Sequence, residues 1–101
     1  DKQPLIFRMY GKGSVINQYH DDWPNWQKNF KKYPGTRQII TLKINKVQTS
    51  CGYAIPLAEN MTDRDTLLKW AEKKGDEGIQ QYWEEKNMSS LDGLPTHILK
   101  K

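Results

Sequence analysis

Six consecutive residues, Gln48-Thr49-Ser50-Cys51-Gly52-Tyr53, carry the side chains best suited to bind a small molecule. A carboxamide, two hydroxyls and a thiol stand in a row, followed by a glycine and an aromatic residue. Such polar groups can hydrogen-bond the edge of a heteroaromatic ring, and the Tyr53 side chain could stack on its face. The alternative is that this segment is simply the end of a strand entering a loop.

Other kinds of site have little support in the sequence. Gly11-Lys12-Gly13 is too short for a phosphate-binding loop, and two histidines and one cysteine are too few and too scattered for a zinc site, so we expect no bound metal. The two carboxylates of His20-Asp21-Asp22 are better explained by helix capping. Nothing in the spacing of Cys51 from either histidine indicates a nucleophile pair, and we expect a lone buried thiol.

Two strands are predicted to position the polar segment. Alternating side chains from Leu5 to Ile16 indicate a first strand, in which a glycine could mark a bend. A second strand is predicted from Thr36 to Val47, because β-branched and apolar residues alternate there with polar ones. Its continuation from Val47 to Leu57 is expected to be irregular, because it contains a glycine and a proline.

Three helices are predicted around these strands. The first starts at Asp21–Pro24 and ends at Pro34-Gly35, and its aromatic stripe is expected to lie in the core: Trp23, Trp26, Phe30 and Tyr33. The second opens with a capping-box-like Thr62–Asp65 and ends at Gly75, where the third begins. Residues 96–101 are expected to form a frayed tail. This order of elements indicates an α+β fold, with residues 1–101 in a single domain.

The charge of the chain is uneven. Residues 1–50 carry nine basic and three acidic residues, a net charge of +6, whereas residues 51–101 have a net charge of −2. A basic half could meet the phosphate of a cofactor or of a nucleic acid, although a solvated face is the simpler interpretation. The single cysteine favours a reducing compartment, and no apolar run approaches the about 20 residues that span a bilayer. We therefore expect a cytoplasmic protein without a membrane partner.

Several separated segments resemble one branch of the pyridoxamine 5'-phosphate oxidase-like proteins. They are Val47–Pro56 (VQTSCGYAIP), Arg64–Leu67 (RDTL), Trp70–Gly75 (WAEKKG), Lys86-Asn87 and Ser90–Pro95 (SLDGLP), together with Arg8–Gly13 (RMYGKG) upstream. The resemblance covers nearly the whole chain, from about Pro4 to Pro95. The blocks are specific because they occur together in the right order.

The resemblance implies a split β-barrel of antiparallel strands with a middle helix and a helical C-terminus. It further implies a homodimer that binds flavin mononucleotide (FMN) in a cleft between subunits and transfers hydride equivalents to or from a small-molecule substrate. By this likeness we expect the flavin to be approached by Gln48, Thr49, Ser50, Cys51 and Tyr53. Arg8 is a further candidate, for an anionic group.

Members of the family are roughly twice as long as this chain, so we expect it to be the C-terminal half of a flavin oxidoreductase. The missing half would supply further barrel strands and much of the flavin-phosphate site. A non-catalytic flavin carrier is the alternative function, because fold alone does not decide between the two. A nucleic-acid-binding module that uses the basic half is the second alternative.

Overall fold

The computed structural model describes residues 3–100 and contains two strands and two helices. In chain order these are β1 (Leu5–Asn17), α1 (Trp23–Gln27), β2 (Gln38–Cys51) and α2 (Thr66–Lys86). β1 and β2 form a two-stranded antiparallel sheet, which within residues 3–100 is not closed into a barrel. The predicted α+β class is confirmed. Among these residues, no helix is long and apolar enough to cross a membrane.

Both strands lie close to their predicted positions. β2 begins at Gln38, two residues later than predicted, because Thr36 closes a turn in which its amide and hydroxyl both donate to the Tyr33 carbonyl. The strand then runs without interruption to Cys51, so the expected irregularity after Val47 is wrong up to that residue. The next residue, Gly52, lies outside the strand, and its amide donates to the Pro4 carbonyl at 2.7 Å.

Helix α1 is much shorter than predicted. It begins at Trp23 as expected, with Pro24 in its first turn, but ends at Gln27. Beyond it the Asn29 and Phe30 amides donate to carbonyls three residues earlier, which replaces the α-helical pattern with tighter turns. The predicted core stripe is wrong as well, since Phe30 and Tyr33 are 56% and 49% exposed.

The chain divides into two compact units. The first, the ribbon unit, comprises the segment through Ser14 and residues Ile40–Asp63, and therefore holds most of both strands. Most of its large apolar side chains, such as Phe7 and Met9, are exposed. The second, the helical unit, comprises Val15–Ile39 and the residues from Arg64 onward.

The helical unit contains the hydrophobic core. Ala71, Ile79, Trp83 and Ile98 are buried together, and partly buried Met88 and Leu99 pack against them. The core includes Ile98 because two hydrogen bonds hold the C-terminal segment, which was expected to fray. The Thr96 amide donates to the Met88 carbonyl, and the Tyr19 hydroxyl donates to the His97 carbonyl. Lys101 lies outside the described residues.

Helix α2 joins the second and third predicted helices. It begins at Thr66, with Asp65 at the N-cap, and the Asp65 side chain makes no capping hydrogen bond, so the predicted capping box is not formed. The predicted break at Gly75 is confirmed, because this residue has φ 67° and ψ 172° inside the helix. We refer to this break as the Gly75 kink.

Candidate cofactor site on the ribbon unit

The polar strand end of β2 pairs with the first half of β1 through side chains. The Arg8 guanidinium donates to the Ser50 hydroxyl at 2.7 Å, and the Tyr10 hydroxyl donates to the Gln48 side-chain carbonyl at 3.2 Å. A step of two residues forward along β1 thus corresponds to a step of two residues back along β2, as antiparallel strands require. These four side chains share one face of the ribbon.

A second cation lies on the same face. The Lys46 ammonium is 5.8 Å from the centroid of the Tyr10 ring, within the range of a cation–π interaction. Lys46, Gln48 and Ser50 follow the two-residue period of a strand, which accounts for their common orientation. We call the set Arg8, Tyr10, Lys46, Gln48 and Ser50 the polar face.

Thr49 and Cys51 lie on the opposite face of β2. Successive side chains of a strand point to opposite sides, so the neighbours of Ser50 along the chain cannot share its face. The predicted site residues are therefore divided: the structure brings together Arg8, Gln48 and Ser50, and separates Thr49 and Cys51 from them. The Cys51 thiol is exposed, so the expectation that it is buried is wrong.

Tyr53 lies in the turn that follows β2. The Ile55 amide donates to the Gly52 carbonyl at 2.9 Å, which closes a four-residue turn with Tyr53 as its second member. Gly52 is buried, and a β-carbon there would be 2.9 Å from the Ile55 side chain and 3.1 Å from Pro4. The turn is thus closely packed beneath a Tyr53 side chain that is 69% exposed.

Two residues of the polar face, Tyr10 and Lys46, were not predicted as part of a site. Tyr10 is two residues from Arg8 on β1, and Lys46 is two residues from Gln48 on β2, so each points to the same face as its predicted neighbour. This two-residue spacing was the signal available in the sequence. It could not be used without the pairing of the two strands, which joins residues about 40 positions apart.

The polar face combines positive charge with hydrogen-bonding groups. Arg8 and Lys46 are both cationic, and within residues 3–100 the one ion pair joins Lys69 and Asp65 in the helical unit, so no described carboxylate neutralises these cations. The described residues include no group of three or more His, Cys, Asp or Glu side chains that could hold a metal ion. The arrangement suits an anionic or polar organic ligand.

Comparison with known proteins identifies a relative. The chain is 34% identical over 110 aligned residues to the pyridoxamine 5'-phosphate oxidase family protein ustO of Aspergillus flavus, with 94% of this chain aligned. No family model matches the chain, and no solved structure matches it significantly. The chain is thus a homologue of a member of the pyridoxamine 5'-phosphate oxidase family, which confirms the family recognised from its motifs. It spans 44% of the length of this relative.

Proposed function

We propose that this chain is part of an FMN-dependent oxidoreductase that acts on a small-molecule substrate, with the flavin held against the polar face and beside Tyr53. The observation that carries the proposal is the paired Arg8–Ser50 and Tyr10–Gln48 hydrogen bonds, which arrange donors and cations on one side of the segment that resembles the family signature. A split barrel, a homodimer with a shared flavin cleft and a cytoplasmic location are parts of the same proposal.

The hydrogen-bonding groups of the polar face fit a flavin. Because the Ser50 oxygen accepts from Arg8, its own O–H is left to donate, and because the Gln48 carbonyl accepts from Tyr10, its amide N–H groups are left to donate. The edge of a flavin ring offers carbonyl and ring-nitrogen acceptors to such donors. When bound, the flavin supplies the hydride-transfer chemistry.

The positive charge of the polar face fits the anionic part of the cofactor or of the substrate. Arg8 presents a planar fork of N–H donors, of which one is used by Ser50. Lys46, above the Tyr10 ring, adds a second charge. We propose that these two cations attract a phosphate or carboxylate group, while Ser50 and Gln48 fix the orientation of the ring.

The opposite face of the ribbon supports the barrel component of the proposal. Phe7 and Met9 alternate with Arg8 and Tyr10, and both are more than half exposed. An apolar face of this kind is normally covered by another layer of structure. We propose that further strands cover it, and that Thr49 and Cys51 face those strands and not the flavin.

The test is FMN affinity, measured by flavin fluorescence during titration with the longest native polypeptide that contains this chain. Ser50→Ala removes a donor and should weaken FMN binding about 5- to 10-fold, and Tyr53→Ala should also weaken it. Thr49→Ala, one residue away on the other face, is the matched control and should leave the affinity unchanged. Unchanged affinity in both Ser50→Ala and Tyr53→Ala would exclude this placement of the flavin.

Turnover separates the enzyme from a carrier. With a reductant and oxygen, a flavin oxidoreductase should cycle its bound flavin between the reduced and oxidised forms, whereas a carrier should hold flavin that cycles with no substrate tested. We expect the isolated 101-residue chain to be colourless, and stoichiometric flavin bound to it would show that the flavin site is misplaced.

Steeply salt-dependent binding to duplex or single-stranded nucleic acid would instead favour the nucleic-acid-binding alternative.

A further inference from the structure

The helical unit contains a second candidate site, an aromatic cavity of about 550 Å³. Its walls come from both halves of α2 and from the turn that precedes β2. The aromatic side chains that line it are Tyr33, Trp70, Tyr82 and Trp83. We call this the aromatic pocket. Its volume lies within the range of about 300–1,000 Å³ that is usual for small-molecule sites.

The Gly75 kink creates the pocket. Trp70 and Tyr82 are twelve residues apart, which corresponds to about 18 Å along a straight helix. Their ring centroids are 5.2 Å apart, with an interplanar angle of 79° in an edge-to-face arrangement. The two halves of α2 therefore fold towards each other at Gly75, and the rings from the two halves meet beside the cavity.

The turn Tyr33–Thr36 forms a further wall. Gly35 has φ +77°, as the third residue of a type II turn requires, and Pro34 precedes it. A β-carbon at Gly35 would lie 3.1 Å from the Ala71 side chain and 3.7 Å from Ile79, so the turn packs directly onto both halves of α2. This contact fixes the position from which Tyr33 lines the pocket.

One cation lines this aromatic pocket. Among the described residues, Arg37 is the only charged side chain in the lining, and its one side-chain hydrogen bond is a long one of 3.4 Å to the side-chain carbonyl oxygen of Asn87. No carboxylate within residues 3–100 forms an ion pair with it. A guanidinium has five N–H donors, so Arg37 retains most of its capacity to bind an anion.

We propose that the aromatic pocket binds a small molecule that carries an aromatic ring and a carboxylate. The ring would pack against Trp70 and Tyr82, which already meet edge to face, and the Lys74 ammonium lies 5.7 Å from the centroid of the Trp70 ring. The carboxylate would accept two parallel hydrogen bonds from Arg37, the geometry for which a guanidinium is suited. The site shares no residue with the polar face, because every residue named for it belongs to the helical unit.

Matched ligands test the charge requirement. The probes are 3-phenylpropionate and its neutral amide, 3-phenylpropionamide, titrated at millimolar concentrations into the 15N-labelled chain while the indole N–H resonances of Trp70 and Trp83 are followed by NMR. We expect both resonances to shift with the acid, and the acid to bind about 10-fold more tightly than the amide, as a charge-assisted hydrogen bond predicts. Absence of any shift, or equal affinity for acid and amide, would overturn the proposal.

Variants locate the charge. Arg37→Gln should reduce affinity for the acid about 10-fold and leave the weak binding of the amide unchanged, whereas Arg37→Lys should retain part of the acid's advantage. Arg64→Gln is the control, because Arg64 is an exposed arginine of the same unit that does not line the pocket. If Arg64→Gln weakens binding as much as Arg37→Gln does, the site is wrongly placed. Shifts of the same indole resonances with protein concentration alone would show that a second copy fills the pocket, which also contradicts the proposal.

Discussion

Replacement of Gly75 by alanine should destabilise the chain through the backbone alone. Gly75 has φ 67° and ψ 172°, a conformation essentially restricted to glycine, and a side chain forced into such a conformation costs about 1–3 kcal/mol. Apart from its chain neighbours and the adjoining helix backbone, a β-carbon at this position would meet no atom within 4 Å, so the substitution introduces no clash with the rest of the fold. The expected loss of unfolding free energy is therefore about 1–3 kcal/mol, all of it conformational strain.

The measurement is urea denaturation of Gly75→Ala followed by far-UV circular dichroism. For a domain of this size each kcal/mol corresponds to a fall of about 4–8 °C in melting temperature, so thermal unfolding provides a second readout. Gly78→Ala is the control, because Gly78 lies inside the helical run of α2 and alanine is the better helix former by up to about 1 kcal/mol. Its added methyl group would lie 3.3 Å from the Lys74 β-carbon, which offsets part of that gain.

The changes in unfolding free energy caused by the two substitutions should thus differ in sign or in size. Gly78→Ala should change the unfolding free energy by less than about 1 kcal/mol, while Gly75→Ala should lower it by more. If Gly75→Ala were as stable as the parent chain, alanine would have to be accommodated by a straightened helix. Trp70 and Tyr82 would then separate, and both the Gly75 kink and the aromatic pocket derived from it would be refuted.

Two further predictions concern close packing in each unit. Gly11→Ala should lower the unfolding free energy by at least about 1–3 kcal/mol, because its β-carbon would lie 2.0 Å from the Lys43 carbonyl oxygen. Gly13→Ala should be tolerated, because the nearest atom to its β-carbon would be 3.9 Å away. The urea midpoints of the two variants test this difference. Ile98→Ala should cost about 2–5 kcal/mol because Ile98 is a core residue, and Leu91→Ala, at a fully exposed position, should cost less than about 0.5 kcal/mol. Similar losses for Ile98→Ala and Leu91→Ala in thermal unfolding would show that the C-terminal segment is not anchored.

The features that were predictable from the sequence depend on local rules. The alternation of apolar and polar residues predicted both strands, and three of the four strand ends lie within two residues of their predicted positions. The glycine at position 75 predicted the break in α2. The polar end of β2 was recognised because four short polar or thiol side chains in a row are unusual at the end of an apolar strand. Each of these signals lies within a few residues of the feature it predicts.

The features that were missed depend on contacts between distant residues. The early end of α1 was missed because its aromatic spacing suits a helix, although Phe30 is exposed and gains little burial from helix formation. The burial of Ile98 requires the packing partners of α2 to be known. Likewise, Tyr10 and Lys46 join the polar face only through the pairing of β1 with β2. The aromatic pocket was missed for the same reason, since its rings are brought together by the kink.

The alternation of side chains at the end of β2 makes the proposed flavin site more sensitive to the number of residues in the strand than to the chemistry of its side chains. Ser50 and Thr49 have similar hydroxyl side chains but lie on opposite faces, so the site is defined by register and not by composition. The hydrogen bond from the Gly52 amide to the Pro4 carbonyl holds that register at the strand end. If the pairing before Val47 is kept, a single-residue insertion between Val47 and Gln48 would break this hydrogen bond and exchange the two faces. The polar side chains would then turn towards the apolar side of the ribbon, while every residue type of the motif stays in place.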